Sequence, residues 1–222
     1  MALEVWSILQ WILMAFLAFL FFLEVVARIV RHYRHFPVPA FMTQLMDNPV
    51  RRRFIQKPGV IADRMRLEPG MVVLEIGPGK GGYTKVFAEK ILPGGVVYVV
   101  DIQESVVKRL RRRFDREGVT NVYPRIDDAH NLSLGEESID RVIAMSCLPE
   151  IPDPTGVLRE CWRVLKRDGL VCLCEILTDP DYPLMKTEIR WAEEVGLELR
   201  EKYGNFFMYQ LNFGKNIRTQ AS

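Results

Sequence analysis

Short apolar runs alternate with amphipathic stretches along most of this chain. Apolar runs rich in β-branched residues and bounded by turn residues are typical of strands, whereas apolar residues every three or four positions are typical of helices. The pattern predicts strands over 72–76, 96–100, 122–126, 139–145, 170–176, 197–203 and 207–213. It predicts helices over 60–65, 83–91, 104–117, 154–165 and 185–195.

This alternation predicts an α/β domain over 57–216, a Rossmann-like, doubly wound seven-stranded sheet with helices on both faces. Gly204 and Asn205 separate the last two strands, and this connection is too short for a crossover helix. These two strands should therefore form an antiparallel hairpin at one edge of the sheet. A short tail, 217–222, follows the domain.

The amino-terminal part of the chain is different in character. Residues 5–23 form a run of 19 residues without a charge. A helix of that length spans about 28 Å, close to the roughly 30 Å of a bilayer's hydrocarbon core. The run is apolar on all sides, which favours a transmembrane helix over an interfacial one. The alternative is a hydrophobic helix buried against the domain or a partner chain.

Arg28, Arg31 and Arg34 follow this run. The helix and this basic juxtamembrane segment together make up residues 1–35. Because cytoplasmic flanks of membrane helices are enriched in basic residues, the amino terminus should lie outside and the domain in the cytoplasm. His32 and His35 have no third ligand nearby in the sequence, so we do not expect them to bind a metal.

Residues 36–56 form a linker of apolar and basic character, which Pro37 and Pro39 separate from the preceding helix. We expect this linker to rest on the bilayer, to form a lid over the site or to be a short helix packed on the domain. A second basic stretch, 108–113, belongs to an amphipathic helix and is either a solvated face or a contact with anionic headgroups or RNA.

Composition narrows the function classes. A hydrophobic content of 49% indicates a globular chain, and a net charge of only +2 disfavours a nucleic-acid protein that works by neutralising phosphates. The four cysteines match no zinc spacing, and Cys172 and Cys174 should lie buried on one face of a strand. No metal site is expected.

The most informative stretch is VVLEIGPGKGGYT at 72–84, an apolar run that ends in an acid before a glycine-rich turn. Asp101 ends the next apolar run. This layout is typical of a nucleotide-binding crevice at the carboxyl ends of parallel strands. The glycine spacing fits two cofactors, because it satisfies the dinucleotide pattern G-x-G-x-x-G and the pattern G-x-G-x-G equally.

Further residues distinguish the two cofactors. Glu75 precedes the turn, where a carboxylate would disfavour a pyrophosphate and tolerate a cationic or zwitterionic ligand. Asp128 follows the third strand and can accept a hydrogen bond from an exocyclic amine, while Ala129 leaves room for a flat base. The antiparallel hairpin at the end of the chain is the third feature that argues against a dinucleotide cofactor.

Residues 57–216 resemble class I S-adenosylmethionine-dependent methyltransferases of the ubiquinone/menaquinone type. The resemblance rests on VVLEIGPGKGGYT, VVYVVDIQ, RIDDAHNL, SIDRVIAMSCLPEIPDP and LRECWRVLKRDGLV. Asp168 stands where many relatives carry Pro or Gly, which affects only a turn. The resemblance implies S-adenosylmethionine as cofactor, with Asp101 on the ribose hydroxyls, Asp128 on the adenine amine and Ala129 at the adenine ring. The implied cofactor-binding residues are Glu75, Gly77, Pro78, Gly79, Gly81, Asp101, Ile102, Asp128, Ala129 and Ser146.

An amine or phenol acceptor must lose a proton, and the candidate general bases are Glu150, Glu175 and His130. Each of two candidates also has a non-catalytic interpretation. Glu150 is then a loop carboxylate, and His130 then does no more than border the adenine. The stretch Ser146–Pro149 lacks the N/D-P-P-Y/F signature of methylases that act on the amino groups of nucleic acids, which disfavours DNA or RNA as substrate.

The expected membrane helix bears on the acceptor, since anchoring concentrates an enzyme near lipophilic molecules. The leading hypothesis is therefore methylation of a membrane-resident acceptor, such as a phospholipid headgroup amine or a quinone-like compound. A methyltransferase for small lipophilic thiols or amines is one alternative, and a non-catalytic membrane adaptor that keeps the fold is another. The oligomeric state is not predicted.

Overall fold

The computed structural model describes residues 6–8, 10–16, 18, 19, 22, 26 and 51–216. The chain divides into two compact units, Met1–Phe36 and Pro37–Ser222. The described residues of the first unit are helical, and their side chains are exposed. Within the described ranges, no helix is both long and apolar enough to cross a membrane.

Several predictions concern residues outside those ranges. They include parts of the apolar run 5–23, the basic segment 27–35, the linker up to residue 50 and the tail 217–222. The membrane anchor and the function of these segments stay predictions.

The second unit is built on a seven-stranded sheet in the order β3-β2-β1-β4-β5-β7-β6. Neighbouring strands from β3 to β5 are parallel, whereas β7 is antiparallel to both β5 and β6. The doubly wound sheet and the terminal hairpin are thereby confirmed. The strands are β1 (Val72–Ile76), β2 (Val96–Asp101), β3 (Val122–Ile126), β4 (Ile139–Met145), β5 (Leu165–Ile176), β6 (Leu197–Gly204) and β7 (Met208–Lys215).

Within residues 51–216, five α-helices lie on the two faces of this sheet. They are α1 (Pro58–Arg64), α2 (Gly82–Lys90), α3 (Glu104–Glu117), α4 (Pro154–Val164) and α5 (Met185–Glu194). A π-helical turn, Arg51–Ile55, precedes α1, and a 3-10 turn, Leu148–Glu150, follows β4. The core has two parts, one containing residues of α1, α2 and α3 and the other containing residues of α4 and α5. Central strands are therefore buried on both sides, which explains their nearly continuous apolar sequence.

The strand β5 begins at Leu165, so the prediction that it starts at residue 170 was wrong at this end. Leu165 pairs with Ile139 of β4, and the pairing is irregular between Ile139 and Arg141. Residues 166–169, which include Asp168 and Gly169, lie within this irregularity, and the pairing of Leu165 with Ile139 extends the strand to its amino-terminal end. Cys172 and Cys174 are buried in the same part of the core, as predicted.

Two acidic side chains are fully buried between β5 and α5, where Glu175 and Glu188 are each 0% exposed. Neither carboxylate meets a hydrogen-bond donor of standard geometry among the described residues. Burial raises the pKa of Glu175 well above its usual range, and the neighbouring charge of Glu188 raises it further. Burial likewise raises the pKa of Glu188 to about 8.

This pair should make the stability of the domain depend on pH. Between the ordinary value of 4.5 and about 8, folded Glu188 keeps a proton that the unfolded chain releases. The free energy of unfolding should therefore fall as pH rises through this window, by about 1.4 kcal/mol per pH unit for each proton retained. Glu188→Gln should flatten the decline, measured by urea unfolding at pH 5, 7 and 8.5. The control is Glu193→Gln, at an exposed position of the same helix; identical slopes in wild type and Glu188→Gln would contradict the prediction.

Candidate functional site

The loop after β1 turns sharply because three glycines adopt left-handed backbone conformations. The φ angles are +64° at Gly77, +55° at Gly79 and +74° at Gly81, the residue that caps the amino terminus of α2. A Cβ atom added at Gly77 would lie 2.7 Å from the Cβ atom of Cys147, whereas one added at Gly79 would meet nothing within 4 Å. The loop thus packs tightly on the turn after β4 and leaves open space above Gly79.

The carboxylate of Glu75 lies beneath this loop and is 2% exposed. The hydroxyl of Thr84, in the first turn of α2, donates to its Oε2 atom at 2.5 Å. This bond ties the end of β1 to the helix that follows the loop, and it holds the carboxyl group beside the open space.

Two arginines of the basic stretch on α3 support the loop from the other side. Arg109 donates to the carbonyl of Gly79 at 3.3 Å, and Arg113 donates to the carbonyl of Lys80. These side chains are therefore engaged with backbone acceptors of the glycine loop. The two interpretations of the basic stretch, a solvated face or an anion contact, did not anticipate this role.

Asp101 ends β2 at the same edge of the sheet. Its Oδ1 atom accepts from the backbone N–H of Gln103 at 2.8 Å, which fixes the orientation of the carboxylate. Burial raises the pKa of Asp101, although the Gln103 hydrogen bond and the charge of Arg109 oppose the shift.

Asp128 and His130 form a pair on the loop after β3, with the Nδ1 atom of His130 2.9 Å from the Oδ1 atom of Asp128. The Nε2 atom of His130 lies 2.7 Å from the carbonyl oxygen of Pro152, so it must carry the proton and donate. Burial lowers the pKa of His130, but the hydrogen bonds to Asp128 and Pro152 outweigh it and raise the pKa overall. Because both ring nitrogens of His130 face hydrogen-bond acceptors, this imidazole is poorly placed to accept a proton from a substrate.

Two adjoining cavities open at this edge of the sheet, and both are lined by Gly77, Asp101, Gln103, Cys147 and Glu150. The first cavity is also lined by Arg51, Glu75, Pro78, Gly79 and Ser146. The second is also lined by Ile102, Asp128, Ala129 and His130. The structure therefore brings the predicted site residues together, with two exceptions. Gly81 caps α2, and Glu175 is fully buried and lines neither cavity.

Glu150 is thus the candidate base that best fits the geometry, since it is half-buried and lines both cavities. The structure also places Asp179 and Asp181 beside it, and their ligand atoms lie within 4.8 Å of one another. Sequence reasoning missed this cluster because the two aspartates follow β5, whereas Glu150 follows β4. An acidic cluster alone does not establish a cation site.

Sequence reasoning also missed Arg51, which lay in the expected linker. Its Nη2 atom donates to the Oγ atom of Ser146 at 2.8 Å, and its Nε atom donates to the Oε1 atom of Gln56 at 2.6 Å. The final turn of the predicted linker therefore contributes to the wall of the first cavity. Only its basic composition could have signalled such a role.

Part of this chain is similar in sequence to known methyltransferases. Residues 74–173 match the family model described as "Methyltransferase domain". A ubiquinone/menaquinone biosynthesis C-methyltransferase of Hydrogenovibrio crunogenus is 34% identical over 110 residues, which cover 49% of this chain and 43% of that protein. A protein-L-isoaspartate O-methyltransferase of Methanococcoides burtonii is 33% identical over 115 residues, covering 51% of this chain and 53% of that protein. The chain thus spans about half the length of these relatives.

A solved structure of an S-adenosylmethionine-dependent methyltransferase from Aquifex aeolicus superposes with a TM-score of 0.74 at 18% identity. The alignment covers 80% of this chain and 98% of that one, and at this identity it shows a shared fold. The relatives named above differ in the atoms they methylate, a carbon in one and an oxygen in the other, so they leave the acceptor open.

The residues at the carboxyl edge fit S-adenosylmethionine. The open space above Gly79 admits a ligand close to the backbone, and the acids Glu75 and Asp101 suit its ammonium group and ribose hydroxyls. Asp128 and Ala129 line the neighbouring cavity, where an adenine would be held. When bound, this cofactor supplies an electrophilic methyl group on a sulfonium. Residues 74–173 of this chain are thus similar to methyltransferase domains, and the site around them fits S-adenosylmethionine as the cofactor.

Proposed function

We propose that the chain is a membrane-associated methyltransferase that transfers a methyl group to a lipophilic acceptor, such as a phospholipid headgroup amine or a quinone-like compound. The observation that carries this proposal is a set of exposed apolar side chains at the edge of the sheet where the cavities open. We call this set the apolar rim; its members are Phe54, Ile55, Leu184, Phe206 and Phe207.

The apolar rim lies at the carboxyl edge because β7 begins at Met208, opposite Ile176 at the end of β5. The Phe206 and Phe207 side chains, in the turn before it, are 54% and 65% exposed. Their ring centroids are 5.8 Å apart, and the ring of Tyr182 lies 6.1 Å from that of Phe206. Aromatic side chains exposed together in this way are characteristic of surfaces that meet another apolar phase or partner.

The other side of the rim belongs to the turn that contacts the first cavity. Phe54 is 68% exposed and Ile55 is 42% exposed, in the same turn as Arg51. Ile55 also shares a third cavity with Met208 and Tyr209, so this turn adjoins the β6–β7 hairpin. An acceptor with an apolar body could rest on this surface and present its reactive atom to the cavity near Glu150.

The uncharged run 5–23 supports the same proposal from the sequence. A helix that anchors the chain in a bilayer would confine the domain to the membrane surface and raise the local concentration of lipophilic acceptors. The basic residues after the run place the domain on the cytoplasmic side in this proposal.

Within this proposal Glu150 is the general base. Its carboxylate would accept the proton that the acceptor's nucleophilic atom loses on methylation. S-adenosylmethionine, when bound, would supply the methyl group from its sulfonium and would leave as a neutral thioether. The half-buried position at the junction of both cavities lets Glu150 reach an acceptor that enters from the rim.

The cofactor assignment predicts that Asp101→Ala weakens S-adenosylmethionine binding by about tenfold to a hundredfold, because two ribose hydroxyls lose a charged acceptor. Isothermal titration of the full chain in detergent measures the change, and circular dichroism checks that the fold persists. Asp115→Ala, on the outer face of α3, is the matched control. Unchanged affinity in a folded Asp101→Ala variant would overturn the placement of the ribose.

The acceptor class is tested with the full chain, methyl-labelled cofactor and a total membrane lipid extract. We expect label in the organic phase. Label found only on a panel of small thiols and amines would replace the proposed acceptor with the alternative one. Cofactor binding without transfer to either set would favour the adaptor.

The rim is tested by the double substitution Phe206→Ser with Phe207→Ser. Its kcat/KM for the lipid acceptor should fall roughly tenfold, because two apolar side chains no longer contact the acceptor's surroundings. The cofactor dissociation constant should stay unchanged. Leu92→Ser removes a side chain of similar exposure at the opposite edge of the sheet and serves as control. Equal activity of the two variants would mean that the apolar rim does not contribute to acceptor binding.

Glu150→Gln keeps the size of the side chain and removes its basicity. We expect turnover to fall by about a hundredfold or more, whereas cofactor affinity changes less than about threefold. Asp181→Asn, a neighbouring acid that lines neither of the two cavities, should lose much less activity. Retention of full turnover in Glu150→Gln would exclude a general-base role.

A further inference from the structure

The lining of the first cavity contains more acidic than basic side chains. Its acidic lining residues are Glu75, Asp101 and Glu150, and Arg51 is the only basic one among the described residues that line it. A ligand that complements this lining carries more than one positive or hydrogen-bond-donating group and a single negative group. The methionyl end of S-adenosylmethionine has this composition, with an ammonium, a sulfonium and one carboxylate.

The position of Arg51 is set by its own hydrogen bonds. Ser146, at the end of β4, accepts from its Nη2 atom, and Gln56 accepts from its Nε atom. Gln56 is itself 6% exposed and donates to the backbone carbonyl of Glu175 at 3.3 Å. The guanidinium is therefore held against the ends of β4 and β5, which gives it a defined place in the cavity wall.

The order of groups along the two cavities indicates which end of the cofactor reaches Arg51. Asp128 and Ala129 line only the second cavity, Asp101 lines both, and Glu75 lines only the first together with Arg51. With the adenine at Asp128 and the ribose at Asp101, the methionyl end extends into the first cavity. Its ammonium group is then suited to Glu75, which leaves the carboxylate for the cationic side of the cavity.

We propose that Arg51 binds the α-carboxylate of S-adenosylmethionine. A guanidinium has five N–H donors in a planar fork that suits a carboxylate, so Arg51 can contact Ser146, Gln56 and the ligand together. The turn Arg51–Ile55 then closes on the cofactor through this contact. Cofactor binding would thereby fix the position of Phe54 and Ile55, two members of the apolar rim.

The same cation could instead bind an anionic group of the acceptor, such as a phosphate. The two roles are separable because the cofactor binds without an acceptor, and because decarboxylated S-adenosylmethionine lacks only the group in question. Comparing the two ligands on one variant isolates the contribution of that carboxylate.

The experiment is isothermal titration of the full chain in detergent with S-adenosylmethionine and with its decarboxylated analogue. For Arg51→Ala we expect S-adenosylmethionine affinity to fall at least tenfold and affinity for the analogue to change less than twofold, since a charge-assisted pair is lost for the first ligand only. Arg51→Lys should restore part of the preference. Arg53→Ala, an exposed arginine of the same turn, should bind both ligands as the wild type does.

An equal loss for both ligands would overturn the proposal, because it would mean that Arg51 supports the cavity rather than the carboxylate. Unchanged affinity for both ligands would overturn the proposal as well, and it would favour binding of Arg51 to an anionic group of the acceptor. Thermal unfolding of each variant separates these results from a loss of fold. The lipid-labelling result is independent of this outcome, so failure here leaves the proposed acceptor class standing.

Discussion

The site depends on one topological constraint, the parallel pairing of β1 with β2 on one side and β4 on the other. Ile76 at the end of β1 pairs with Val100 and with Ala144, so three strands end at the same level. The chain winds outward from β1 to β2 and β3, then returns to place β4 on the opposite side. Loops that leave neighbouring strands in opposite directions separate from one another, and a crevice opens between them.

Each part of the site follows from this crevice. Glu75 and Asp101 lie at the ends of β1 and β2, and Ser146 directly follows β4. The glycine loop can approach the turn after β4 closely because Gly77 carries no Cβ atom. Burial at the strand ends raises the pKa of Asp101 and Cys147, so the same geometry that creates the pocket also disfavours the charged forms of these two groups.

The sequence predicted the parts of the molecule whose signals are local. Strand and helix periodicity, the glycine spacing and the acids at the strand ends all lie within short windows, and the Gly204-Asn205 turn predicted the hairpin. Local signals are also why the start of β5 was misplaced. Asp168-Gly169 has the composition of a turn, and only pairing with β4 extends the strand to Leu165.

The parts that escaped prediction are contacts between residues far apart in the chain. Arg51 and Ser146 are separated by 95 positions, and no pattern in either segment indicates the other. The cluster of Glu150 with Asp179 and Asp181 joins loops that follow different strands. A buried acid such as Glu188 is indistinguishable in sequence from a solvated helix residue, because only tertiary packing removes it from water.

In the proposed arrangement S-adenosylmethionine would lie along the carboxyl edge of the sheet, with its methyl end near the glycine loop, Glu150 and the apolar rim. The most direct test is a crystal structure of the full chain with S-adenosylhomocysteine. The predicted result has the ribose hydroxyls on Asp101, the adenine beside Ala129 and the sulfur facing Glu150. A ligand bound at another edge of the sheet, or with its adenine at Glu75, would contradict this arrangement of the cofactor.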